Sequence, residues 1–105
     1  MKHKNDILFK IKQIIYKSVP DAEIILYGSR ARNKSKKMSD WDLLILLNST
    51  NISFDLETKL MDDLYEIEID TGEIISPLFY TKNDWNENHF ITPLYENIKK
   101  DGIRI

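Results

Sequence analysis

The sequence predicts an α/β domain, and three observations carry that expectation. Residues 23–27 and 43–47 are short, nearly unbroken apolar runs, as in strands buried on both faces of a sheet. Residues 6–18 and 54–67 instead place their apolar side chains at helical spacing. Between the two apolar runs, Gly28 and Ser29 close the first, while Asp40, Trp41 and Asp42 open the second.

The elements follow in order. Ile7, Leu8, Ile11, Ile14 and Ile15 form the inner stripe of a first amphipathic helix over 6–18, with Asn5 as its N-cap and Pro20 just beyond its end. Residues 23–27 make the first strand. Residues 29–33 are expected to form a short helical turn, with Asn33 in the left-handed conformation at its end. Lysine-rich residues 34–38 follow as an exposed loop. Ser39 and Asp40 start a second strand that runs to Leu47, and 48–51 are a polar break.

Ser53 then caps a helix whose inner face is Leu56, Leu60, Leu64 and Ile67. Residues 65–70 read two ways. They continue that helix to about Asp70, with Gly72 as its stop, or they alternate as a strand that turns back at Thr71 and Gly72. The helix is the favoured reading. Residues 73–80 form a third strand, which Pro77 places at an edge or a bulge. A short helix is expected at 83–87 with Asn83 as its cap. A last one begins at Thr92, with Pro93 at its first position and Leu94, Tyr95 and Ile98 facing inward.

With 105 residues, the expected organisation is one domain over 1–105. A composition 42% hydrophobic and 30% charged is that of a folded chain. The net charge of −2 argues against binding duplex nucleic acid through the whole surface. With no cysteine, disulfides and thiolate zinc sites are excluded. The charged start and the lack of a long apolar stretch lead us to expect neither a signal peptide nor a membrane span, and a cytoplasmic location. His3 and His89 are the two histidines and have no metal-ligand spacing between them.

The chemistry concentrates in 28–42. Asp40 and Asp42, two residues apart on a strand, point to one face about 7 Å apart along it. Paired carboxylates suit Mg²⁺, a hard cation that also keeps waters and bridges phosphates. In a two-metal arrangement one ion serves the attacking oxygen and the other the leaving oxygens. The plain alternative is a turn-capping Asp40 and a solvated Asp42. Gly28 lets the backbone approach a ligand closely, and Ser29 offers a hydroxyl and an amide where anions are favoured. Arg30 and Arg32 can make charge-assisted phosphate contacts. Their spacing sends them to different sides of a helical turn, so at most one faces the ligand.

Gly28-Ser29-Arg30-Ala31-Arg32, followed by Ser39-Asp40-Trp41-Asp42-Leu43, resembles the signature of the DNA polymerase β-like nucleotidyltransferase superfamily. In size the chain is similar to the minimal nucleotidyltransferases. The resemblance implies a small mixed β-sheet flanked by helices. It implies that Gly28 and Ser29 hold a nucleoside triphosphate, to which Arg30 or Arg32 can add a charge-assisted contact, and that Asp40 and Asp42 are catalytic and ligate Mg²⁺. The implied reaction moves a nucleoside monophosphate onto a hydroxyl and releases pyrophosphate. Minimal nucleotidyltransferases are often encoded beside a helical HEPN-domain protein, commonly as antitoxin and toxin, so such a partner is implied too. A homo-oligomer is allowed for, because a dimer could supply an acceptor pocket for which 105 residues leave little room.

The family usually carries a third carboxylate on the next strand, and here that position falls at Ser76. A neutral hydroxyl is a poor base. Glu68 or Asp70 could supply the carboxylate under the hairpin reading, and Glu73 is a weaker third choice. Two functional readings stay open: a Mg²⁺-dependent nucleotidyltransferase, or a weakly catalytic or non-catalytic module that binds a partner.

Overall fold

The computed structural model describes residues 3–32 and 39–105. The expected turn end at Asn33 and the loop 34–38 therefore lie outside the described residues. Helix α1 spans His3–Ser18, and strand β1 Glu23–Tyr27. Strand β2 spans Trp41–Leu47, helix α2 Phe54–Thr71 and strand β3 Ile75–Thr81. Helices α3 (Lys82–Asn88) and α4 (Pro93–Asp101) precede a two-residue strand β4, Ile103–Arg104.

The ambiguity at 65–70 resolves as helix. Ser53 Oγ accepts from the Leu56 amide at one end of α2. At the other end Gly72 takes φ 76° and donates its N–H to Glu68 O. A left-handed glycine closes the last turn at no steric cost, and that prevails over the strand-like alternation.

Four boundaries differ from expectation. Helix α1 starts at His3, which puts Asn5 inside it rather than at the cap. Strand β2 starts at Trp41, so Asp40 stands one residue before the strand. Strand β3 starts at Ile75, which leaves Glu73 in the connection. Thr81, not Asn83, caps α3, because its hydroxyl accepts from the Asp84 amide at 3.0 Å. Strand β4, at two residues, is too short to carry a periodicity readable in the sequence.

The sheet order is β3-β2-β1-β4. Strand β2 runs antiparallel to β1 and parallel to β3, and β1 pairs antiparallel with β4. The sheet is therefore mixed, and Pro77 sits on the edge strand, where its missing N–H costs no ladder bond.

Both faces are covered. Ile7, Ile11 and Ile15 of α1 and Leu60, Leu64 and Ile67 of α2 pack against Ile24, Leu26, Trp41, Leu43, Ile45 and Leu47. On the opposite face Trp85 of α3 and Ile98 of α4 pack against Leu44 and Leu46. Each fully buried Leu or Ile contributes about 1.5–3 kcal/mol, so β2, apolar on both faces, is the centre of the core. Alternation along β2 then fixes the direction of its carboxylate. Trp41 and Leu43 face α1 and α2, while Asp42 faces the α3 and α4 side.

Candidate functional site

The site forms where β1 ends and β2 begins. Gly28 follows β1 directly and takes φ 77°, a conformation that side-chain-bearing residues rarely adopt. A Cβ there would also collide with the Asp42 carboxylate, so two constraints require glycine. The chain then makes one tight turn, with the Ala31 and Arg32 amides both donating to Gly28 O at 3.1 and 3.2 Å. Ala31 is buried and anchors the turn, while Ser29 is partly exposed within it.

Asp42 pairs across the ladders with Tyr27 on one side and Ser76 on the other. Asp40, on the same face, accepts a hydrogen bond from Ser76 Oγ at 2.8 Å. Burial, reinforced by the neighbouring Asp40 charge and opposed by Arg32, raises the Asp42 carboxyl above its ordinary value. Burial and Asp42 likewise raise the Tyr27 phenol. Two like charges held on one face, one of them half-buried, form a site that gains from a cation.

The two arginines part company. Arg32 is 3.9 Å from Asp101 Oδ2 at the end of α4, and its charge acts on Asp42. The Arg30 guanidinium lies 4.1 Å from the centre of the Trp41 ring, against the opposite face of β2. Its Nε and Nη2 donate to Ser39 O at 3.2 and 2.8 Å.

The structure puts Ser76 in register with Asp42, beside the aspartate pair. The other carboxylates are engaged elsewhere. Glu68 accepts the Ile75 amide at 2.7 Å. Asp70 pairs with Lys10 at 2.7 Å on the outer surface, and that bond lowers its carboxyl below the usual range. Glu73 Oε1 accepts from Trp41 Nε1 at 2.9 Å. Among the described residues no group of three or more His, Cys, Asp or Glu side chains could hold a metal. The donor set is therefore two carboxylates and a neutral hydroxyl. It fits Mg²⁺ that completes its shell with water and substrate phosphates, and does not fit an ion needing a full protein cage.

Tyr27 was not singled out in the sequence. Its side chain joins the site through strand register, which becomes readable only once β1 and β2 are known to pair as Tyr27 with Asp42. His89 caps the C-terminal end of α3 and stacks on Trp85, with ring centroids 5.6 Å apart.

A glycine-led turn facing two aspartates at the mouth of a mixed sheet defines the nucleotidyltransferase class. Residues 9–103 match the family described as polymerase beta, nucleotidyltransferase, and the chain belongs to that family. No curated protein sequence matches it. The fold is similar to a crystal structure of a toxin–antitoxin with AMP-PNP, with TM-score 0.65 and 14% identity over 91% of this chain and 69% of that one. It is also similar to a mutant of the toxin–antitoxin MntA-HpeT, with TM-score 0.59 and 12% identity over 100% of this chain and 72% of that one.

Proposed function

We propose that this face binds a nucleoside triphosphate with Mg²⁺ and transfers the nucleoside monophosphate to a hydroxyl on a partner protein, releasing pyrophosphate and the hydroxyl proton. The observation that carries the reading is the close approach of the Gly28 turn to Asp42, with Asp40 on the same face. Asp40 and Asp42 would hold the ion, which would supply positive charge to the phosphates. Gly28 leaves the backbone open to the phosphates, and Ser29 offers a hydroxyl and an amide. Arg32 adds positive charge on the same side. Ser76 steadies Asp40 through its hydroxyl but cannot take the proton of an attacking hydroxyl at neutral pH.

Incubation with α-labelled ATP, Mg²⁺ and a co-purified protein partner tests this. Wild type should transfer label, and the Asp40→Asn, Asp42→Asn double variant should lose it while remaining folded. Equal labelling by both would overturn the reading.

Two observations favour the second reading, a partner-binding module of the antitoxin kind with slow or no turnover. One is Ser76 at the position beside the aspartates. The other is the outer face of α2, where Phe54 (83% exposed), Met61, Tyr65 and Ile69 make an apolar stripe along a helix otherwise rich in carboxylates. Contiguous exposed apolar stripes of this kind favour a protein contact. The two toxin–antitoxin structures that share the fold support a toxin-like partner. A helical HEPN-domain protein is the partner we propose. The readings are compatible, since an antitoxin can act by modifying its toxin.

A further inference from the structure

We propose that Arg30 is a positioning residue that locks the phosphate turn, the Asp40 approach and the start of β3 into one unit. The inference rests on the nucleotide-site reading above.

Three segments carry the site's side chains: the turn 28–32, residues 39–42, and 73–76. Arg30 belongs to the first and bonds to the other two. Its Nε and Nη2 both donate to Ser39 O, the carbonyl immediately before Asp40, at 3.2 and 2.8 Å. Nη2 also reaches Glu73 Oε1 at 3.4 Å, three residues before Ser76. The same oxygen accepts Trp41 Nε1 at 2.9 Å, and the guanidinium lies over the Trp41 ring. The Trp41 amide closes the set by donating to Ile74 O at 2.9 Å.

The Arg30 side chain is only 14% exposed. Its fork, its charge and its flat face are all in use, a combination lysine cannot reproduce. Because Trp41 and Asp42 point to opposite faces of β2, Arg30 acts from behind the aspartates rather than on a phosphate. Groups bonded directly to metal ligands typically change metal affinity by about 10–100-fold when removed, and Arg30, bonded to the carbonyl just before Asp40, acts one step further out, toward the lower end of that range. Arginine in this motif reads at first as a phosphate contact. The geometry points instead to a brace that sets the distance between the turn and Asp40.

Titration of Mg²⁺ into the 105-residue chain at fixed AMP-PNP tests the proposal, using Arg30→Gln and Arg30→Lys. Both variants should shift the Mg²⁺ midpoint upward by about tenfold or more. Nucleotide affinity in EDTA should stay near wild type. Arg30→Lys should recover thermal stability, through its charge beside Glu73, without recovering the Mg²⁺ midpoint. An equal loss of nucleotide affinity with and without Mg²⁺ would mean direct phosphate contact and overturn the proposal. A drop in stability with an unmoved midpoint would mean a purely structural role and overturn it equally.

Amide hydrogen exchange supplies an arm that needs no ligand. In Arg30→Gln, protection should fall together in 28–32, 39–42 and 73–76. A loss confined to 28–32 would contradict the lock. If wild type itself binds no Mg²⁺ with AMP-PNP, the site reading fails, and the exchange pattern still decides whether Arg30 joins the three segments.

Discussion

Asp42 carries the electrostatic cost of the site. Its folded carboxyl sits above the ordinary carboxylate value because of burial first and Asp40 second. Between the unfolded and folded values the native state therefore binds more protons than the unfolded chain. Stability contributed by this group falls as pH rises through that window, and the cost remains in full above it. Without metal, Asp42→Asn should raise the urea midpoint at neutral pH and flatten the loss on going up from acid pH. An unchanged midpoint and pH profile would show that neither burial nor Asp40 holds this carboxyl above its ordinary value. Gly28 expresses the same constraint sterically, since both its positive φ and the nearby carboxylate exclude a side chain.

Strand register decides what the site lacks. Parallel pairing of β2 with β3 sets Ser76 opposite Asp42, and the Ser76 hydroxyl bonds to Asp40. A carboxylate introduced there would stand beside both aspartates. Ser76→Asp should therefore increase Mg²⁺-dependent transfer and should lower stability when Mg²⁺ is absent, as three like charges share one face. Rates equal to wild type in a folded variant would argue that chemistry is not limited by the missing third carboxylate.

The strands and long helices were readable because their signals are local and agree with one another. Ser53, the leucine spacing and Gly72 all specify α2, and the Gly28 turn fixes the end of β1. Starts were less legible. Asp40 and Glu73 adjoin apolar runs but fall outside the strands because pairing begins only at Trp41 and Ile75. The motif residues Gly28, Asp40 and Asp42 were visible as a pattern. Arg30's partners were not, because Ser39, Trp41 and Glu73 meet it only when the sheet assembles.

Over the whole molecule, the proposed nucleotide face and the proposed partner surface lie on different layers. The turn–aspartate face lies on the α3 and α4 side of the sheet, while the apolar stripe of α2 lies on the other layer. A partner can therefore hold α2 without covering the nucleotide face. Met61→Asp combined with Tyr65→Asp should weaken a complex with a helical partner, read by co-purification, and leave nucleotide binding intact. Retention of the complex would remove α2 from the interface. Among the described residues no helix is long and apolar enough to cross a membrane.

The proposed Mg²⁺–nucleotide site is formed by Asp40 and Asp42, facing the Gly28 turn. Isothermal titration of the chain with AMP-PNP in the presence of Mg²⁺ tests it directly, because binding is read without requiring turnover. Saturable binding is expected, sharply weakened by EDTA and lost in the Asp40→Asn, Asp42→Asn double variant. Absence of binding by wild type, or binding of equal strength by the double variant, would contradict it.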